Sequence, residues 1–278
     1  MISAPMEGSI VFLDSGVGGL PYLERSRRLL PGRELHYIAD DAGFPYGTKK
    51  PSQIEDILLD RTRRLRARLH PRVLVIACNT ASQAGLSALR KANPDLEIVG
   101  TVPAIKPAAA STKSGRIAVL ATERTVADPY LDDLIARYAS DVEVIKLPAQ
   151  PLVSFVERSF LGSTASERRT AVMPYLLPLL EAGVDRIVLA CTHFLHLEPD
   201  FSSACETAGA WEVEIVDSLE GVANRLHSLC SADSAPLVAR ATCSSPHSGR
   251  FFLTSEGPAD PAYTAWAERF GLSGPEAL

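Results

Sequence analysis

The chain has 278 residues, 46% of them hydrophobic and 22% charged, with a net charge of −5. The length suits one large or two modest α/β domains, and the composition excludes an intrinsically disordered chain. The anionic balance argues against broad affinity for a phosphate backbone, and the arginine-rich stretch "RTRRLRARLHPR" (61–72) reads as a solvated helical face.

Short apolar runs alternate with helix-like stretches, the pattern of an α/β fold with a mostly parallel sheet. In chain order, strands are expected near 9–14, 35–39, 73–78 and 97–101, with helices near 18–30, 51–69 and 80–92. A Pro, Ala and Ser-rich connection, "TVPAIKPAAASTKSG" (101–115), then marks a boundary. Beyond it the series restarts, with strands near 116–121, 142–147, 186–191 and 213–217 and helices near 127–139, 164–182 and 197–208. The segment 231–250 reads as loop-rich. "RFFLTS" (250–255) reads as a short strand and "AYTAWAERFGL" (262–272) as a closing helix.

The two series match. The third strand of each ends at a cysteine, Cys78 or Cys191, which lies 64 residues after Asp14 in the first half and 70 after Ala121 in the second. "FLDS" stands opposite "VLAT", and "IACNT" opposite "LACTH". We therefore expect two similar domains, each a mostly parallel sheet flanked by helices. The first comprises 1–102 plus 213–278 and the second 103–212.

Ligands of open α/β sheets sit beyond the carboxyl ends of the strands, and polar residues fall there: Asp14 and Ser15, Asp40, Asn79 and Thr80, Thr122 and Thr125, Thr192 and His193. "DSGVGGL" (14–20) could expose N–H groups to an anion at a helix start. It is neither the dinucleotide fingerprint nor a Walker loop. It also reads as a plain strand-to-helix turn.

One cysteine at a strand end is more often a small buried hydrophobe. Two at equivalent positions, each followed by polar residues, suit a pair of acid–base groups. A thiolate on one face of a carbon removes a proton while a thiol on the other face returns one, inverting configuration without redox change. Asp14 and His193 are placed to tune these thiols. Cys205, Cys230 and Cys243 have no such context and read as structural. The odd number of cysteines, five, and their wide spacing argue against a disulfide framework. Without CxxC or HxxxH spacing, no metal site is expected. The start of the chain lacks a basic segment followed by an apolar run, and no stretch has the length of a membrane span. A cytosolic protein without membrane or nucleic-acid partners is expected. A non-catalytic amino-acid-binding protein and a redox dithiol protein remain alternatives from other classes.

"LDSGVGGL", "PYGTK", "IACNTAS", "ATERTV", "PLVSFVE" and "ACTHF" occur in the order and spacing of the glutamate racemases, and "VDSLEGVA" and "FFLTS…AERFGL" resemble the C-terminal part of that family. The resemblance covers most of the chain, and the CNTAS and CTH pair is its specific part. Aspartate racemases resemble the same layout but typically carry CNT followed by Ala-His, and CTE. Ser82 and His193 favour glutamate, with aspartate or another small acidic substrate as the alternative. The resemblance implies two α/β domains related by pseudo-twofold symmetry with the active site in the cleft between them. It implies cofactor-independent interconversion of L- and D-glutamate, supplying D-glutamate for peptidoglycan. Cys78 would deprotonate the D-enantiomer and Cys191 the L-enantiomer, assisted by Asp14 and His193. Ser15, Tyr46, Gly47, Asn79, Thr80, Thr122, Thr125 and Thr192 would bind substrate, with Glu157, grouped with them, as the acidic neighbour of His193. No lysine is placed like a pyridoxal-phosphate anchor, and a homodimer is compatible with the pattern. Three departures stand out: Phe194-Leu195-His196-Leu197 where the family usually has Tyr-Pro-Leu-Leu, Gly43 where it has Arg, and Glu123-Arg124 where smaller residues are usual.

Overall fold

The computed structural model describes residues 8–231 and 249–278. The chain divides into two compact units: the segment through Thr101 together with Leu219–Leu278, and Val102–Ser218.

In the first unit, β1 (Ile10–Asp14), α1 (Leu20–Leu29), β2 (Leu35–Ala39), α2 (Pro51–Leu69), β3 (Val73–Ile76), α3 (Asn79–Ala92) and β4 (Glu97–Gly100) follow one another. Continuous apolar runs such as IVFL and VLVI are fully buried, as befits parallel strands covered by helices on both faces. The second unit holds α4 (Ile105–Ser111), β5 (Arg116–Ala121), α5 (Glu123–Val126), α6 (Pro129–Tyr138), β6 (Glu143–Pro148), α7 (Gln150–Arg158), α8 (Ala165–Glu181), β7 (Arg186–Leu189), α9 (Glu198–Thr207) and β8 (Glu214–Val216). The chain then completes the first unit with α10 (Leu219–Ser231), β9 (Arg250–Leu253), α11 (Pro261–Arg269) and β10 (Ser273–Ala277).

The first sheet runs β10-β9-β2-β1-β3-β4 and the second β6-β5-β7-β8, and every strand pair is parallel. The order β2-β1-β3-β4 repeats as β6-β5-β7-β8. In both sheets the chain leaves the first strand to one side and returns on the other, so a topological switch point lies between β1 and β3 and another between β5 and β7. The expected pair of similar parallel α/β domains is what the chain forms.

Three expectations are corrected. The strand near 213–217 pairs with β7, so the chain returns to the first unit at Leu219 rather than at 213, and the second unit begins at Val102. The connection 101–115 contains a helix, α4, whose Ile105 and Ala108 are buried. The arginines of 61–72 are not simply a solvated face. Arg61 keeps only 15% of its side chain exposed against Asp40, and Arg64 donates to the carbonyl of Leu278. Cys243 and most of the loop-rich segment 231–250 lie outside the described residues.

Candidate active site

In the first unit the switch point brings Asp14 and Cys78 to neighbouring strand ends. Ala77 N–H donates to the Leu13 carbonyl at 2.8 Å, and Asp40 N–H to the Asp14 carbonyl at 2.8 Å. Asp14 thus stands between the ends of β2 and β3. Its carboxylate is buried and accepts the N–H and hydroxyl of Ser15. Cys78 has extended backbone (φ −144°, ψ 121°) and is the N-cap of α3. Its thiol, 5% exposed, lies at the positive end of a helix dipole, which favours a thiolate. Asn79 and Thr80 form the first helical residues and are buried. Both amide atoms of Asn79 are buried without a hydrogen-bond partner among the described residues, an arrangement that native proteins retain mainly where a ligand or water completes it. The third contributor is the 3₁₀ turn Tyr46–Thr48, in which Tyr46 and Gly47 are buried.

The second unit repeats the plan. Cys191 is extended (φ −133°, ψ 133°) and is the N-cap of the 3₁₀ turn Thr192–Leu197. Its sulfur lies 3.9 Å from His193 Nδ1, and His193 Nε2 lies 2.7 Å from Glu157 Oε1 on α7. Burial pushes the His193 imidazole toward its neutral form, but the hydrogen bonds and charges of Cys191 and Glu157 outweigh it and raise its pKa well above the usual value. The imidazolium is thus held against the Cys191 sulfur by a carboxylate behind it. At the end of β5, Thr122 caps α5 by accepting Thr125 N–H at 3.2 Å, and it donates its hydroxyl to Thr125 Oγ1 at 3.1 Å. Both threonines and Thr192 are buried.

The sequence-expected residues therefore gather as two half-sites: Asp14, Ser15, Tyr46, Gly47, Cys78, Asn79 and Thr80 in the first unit, and Thr122, Thr125, Glu157, Cys191, Thr192 and His193 in the second. Glu157 engages His193. The unusual His196 is buried and packs on the Phe160 ring, with centroids 5.7 Å apart, so the segment after Cys191 is anchored by an aromatic contact. Gly43 is close to Asp40, and a Cβ there would collide with its carboxylate. Sequence reasoning missed Tyr37, whose hydroxyl donates to the Gly16 carbonyl at 2.8 Å, accepts Gly19 N–H at 3.0 Å and lies 3.5 Å from Asp14 Oδ2. In a fully buried strand it reads as a core aromatic. Ser82 is turned inward: it donates to the Ile76 carbonyl at 3.2 Å and accepts Thr101 N–H at 3.0 Å. Cys205 and Cys230 are buried free thiols whose pKa values burial raises, Cys205 to about 11. Among the described residues no helix is long and apolar enough to cross a membrane.

Fold and half-sites together define a pair of parallel α/β units, each presenting a cysteine at the helix-opening end of its switch-point strand. The chain belongs to the Asp/Glu/Hydantoin racemase family, whose model matches residues 22–226. It is 41% identical over 242 residues to a glutamate racemase of Sphingopyxis alaskensis, covering 84% of this chain and 86% of that protein. It is 42% identical over 217 residues to one of Roseiflexus sp., covering 78% and 77%. Among solved structures, Escherichia coli glutamate racemase in complex with L-glutamate and the activator UDP-MurNAc-ala superposes with a TM-score of 0.84 at 31% identity, covering 98% of each chain. The enzyme from Francisella tularensis in complex with D-glutamate shares the fold, with a TM-score of 0.74 at 21% identity over 98% of this chain and 96% of that one.

Proposed function

We propose that the protein is a glutamate racemase that interconverts L- and D-glutamate without a cofactor, using Cys78 and Cys191 as its two acid–base groups and supplying D-glutamate for peptidoglycan in the cytosol. The observation that carries this reading is the duplicated half-site: a buried cysteine at a helix-opening strand end, flanked by buried hydroxyls and one ionisable partner. The names of the relatives at 41% and 42% identity support the substrate.

In the direction from L to D, Cys191 as thiolate takes the Cα proton, and the His193 imidazolium stabilises that thiolate beforehand. The electron pair left on Cα delocalises into the α-carboxylate, and the carbon becomes planar. Cys78 as thiol then delivers a proton to the opposite face. Each turnover leaves Cys191 protonated and Cys78 ionised, which is the state required for the reverse direction. Asp14, fixed by Ser15 and Tyr37, assists at Cys78. Ser15, Asn79, Thr80, Thr122, Thr125 and Thr192, with the backbone of Tyr46 and Gly47, bind the substrate through oriented donors that favour developing negative charge.

The test is incubation of purified protein with L-glutamate, and separately with L-aspartate, in deuterated water. The reading expects solvent deuterium at Cα of glutamate together with loss of optical activity, and much slower exchange into aspartate. Cys78→Ala and Cys191→Ala should each abolish racemisation, since either direction needs both groups. Full turnover by either variant, or aspartate as the faster substrate, would sink the proposal.

A further inference from the structure

The 40–48 segment between β2 and α2 carries the Tyr46–Gly47 turn, and how that turn is held is written in contacts that no sequence motif displays. The Tyr46 phenol is 1% exposed and donates to Asp40 Oδ2 at 2.6 Å. Asp40 is fully buried. Its other oxygen accepts Arg61 Nε from α2 at 2.7 Å and the hydroxyl of Thr254, which follows β9. The next residue, Asp41, accepts the backbone N–H groups of Thr254 and Ser255, each at 2.9 Å. Gly43 N–H closes the turn onto the Asp40 carbonyl at 3.0 Å, and only glycine fits there beside the carboxylate.

Tyr46 shares one apolar cluster with Cys78. Burial foremost, then the Asp40 charge and hydrogen bond, then the charges of Cys78 and Asp14 push its phenol well above the ordinary value. The hydroxyl therefore stays protonated and stays committed to Asp40, so it serves neither as an acid for the reaction nor as a ligand for the substrate. A buried carboxylate without a counter-ion would be costly and would repel the carboxylates of an acidic amino acid. Arg61 supplies the compensating charge, and its guanidinium remains protonated because its bonds to Asp40 and Asp60 outweigh its own partial burial.

We propose that Asp40, braced by Arg61 and Thr254, is a positioning residue: it clamps the Tyr46 phenol and thereby fixes the 45–47 turn against Cys78. The inference rests on the racemase reading for its kinetic consequence, but the clamp has a readout of its own. Tyr46→Phe removes one oxygen and leaves the ring in place, so it tests the clamp without threatening the fold. Asp40→Asn keeps an acceptor for the phenol.

The experiment compares wild type, Tyr46→Phe, Asp40→Asn and the double variant. Expected are a KM for glutamate raised about tenfold in Tyr46→Phe with kcat within about threefold, a smaller rise in Asp40→Asn, and a double variant no worse than the worse single. In the same proteins, site-resolved alkylation by iodoacetamide should quicken several-fold at Cys78 and stay unchanged at Cys191. An unchanged KM in Tyr46→Phe, single effects that multiply in the double variant, or equal quickening at both cysteines would overturn the clamp. Quickened alkylation at Cys78 in the variants, alongside a wild type that does not racemise glutamate, would overturn the racemase reading and leave the clamp standing.

Discussion

At the scale of single residues, the decisive contact is the line Cys191–His193–Glu157. His193 has a folded-state pKa raised above its unfolded value, so its contribution to stability is fully present below about pH 6.5. That contribution is lost as pH rises through the folded value. Glu157→Gln removes the anion that holds the imidazolium, so the variant should lose less stability than wild type on going alkaline, a difference measurable by thermal unfolding between neutral and alkaline pH. Its kinetic effect obeys a further constraint. Two enantiomers have equal free energy in water, so kcat/KM must fall by one common factor in both directions. We expect about tenfold or more. A change confined to one direction of kcat/KM is thermodynamically forbidden and would expose a second activity in the assay. At this scale the sequence was informative wherever residues adjoin a strand end: Asp14, Cys78, Asn79 and Cys191 could be singled out without coordinates. It placed Asp40 at a strand end but was silent on its partners Arg61 and Thr254, and on Tyr37, because their hydrogen bonds join residues far apart in the chain and no local pattern records them.

At the scale of elements, long apolar strands announced themselves and weak ones did not. β1, β2 and β5 could be placed to within a residue because buried parallel strands are continuous apolar runs. β10 reads SGPEA, has no apolar residue beyond alanine, and was invisible to pattern. It is held by partners instead: Glu276 meets Arg68 at 3.3 Å and Arg250 at 3.4 Å, and both guanidinium groups lie over the Phe252 ring, 5.2 and 5.1 Å from its centroid. α4 was hidden by its own proline and serine, and only the burial of Ile105 and Ala108 makes it a helix worth forming. The strand-to-helix joint that carries the first cysteine is tight. Gly19, at the entrance to α1, would place a Cβ 2.6 Å from Ala77 Cβ and 2.9 Å from the Ala77 carbonyl, one residue before Cys78. Gly19 is in the ordinary right-handed region (φ −81°), so close approach is what demands glycine there. Gly19→Ala should cost about 1–3 kcal/mol in urea unfolding and should displace the end of β3 beside Cys78, lowering kcat more than the loss of stability alone accounts for.

At the scale of the whole molecule, the repeat β2-β1-β3-β4 and β6-β5-β7-β8 explains why two chemically alike half-sites exist: one folding plan, used twice, puts a cysteine at each switch point. The spacing between the strand ends already carried that message, but the exact return of the chain did not, because β8 is short and half-exposed and its allegiance depends on pairing with β7. The second unit is a continuous segment, Val102–Ser218, whereas the first is assembled from both sides of it. Expressed alone, residues 102–218 should give a cooperative unfolding transition and dispersed amide resonances, while the segment ending at Thr101 should give neither, since it lacks β9, which pairs with β2, and α10, which packs on α1. During translation the inserted unit is ready to fold as soon as it clears the ribosome. The Cys78 half waits with an open β2 edge until the last strands arrive, so a nascent chain stalled late in synthesis carries one finished lobe and one that still needs protection from aggregation.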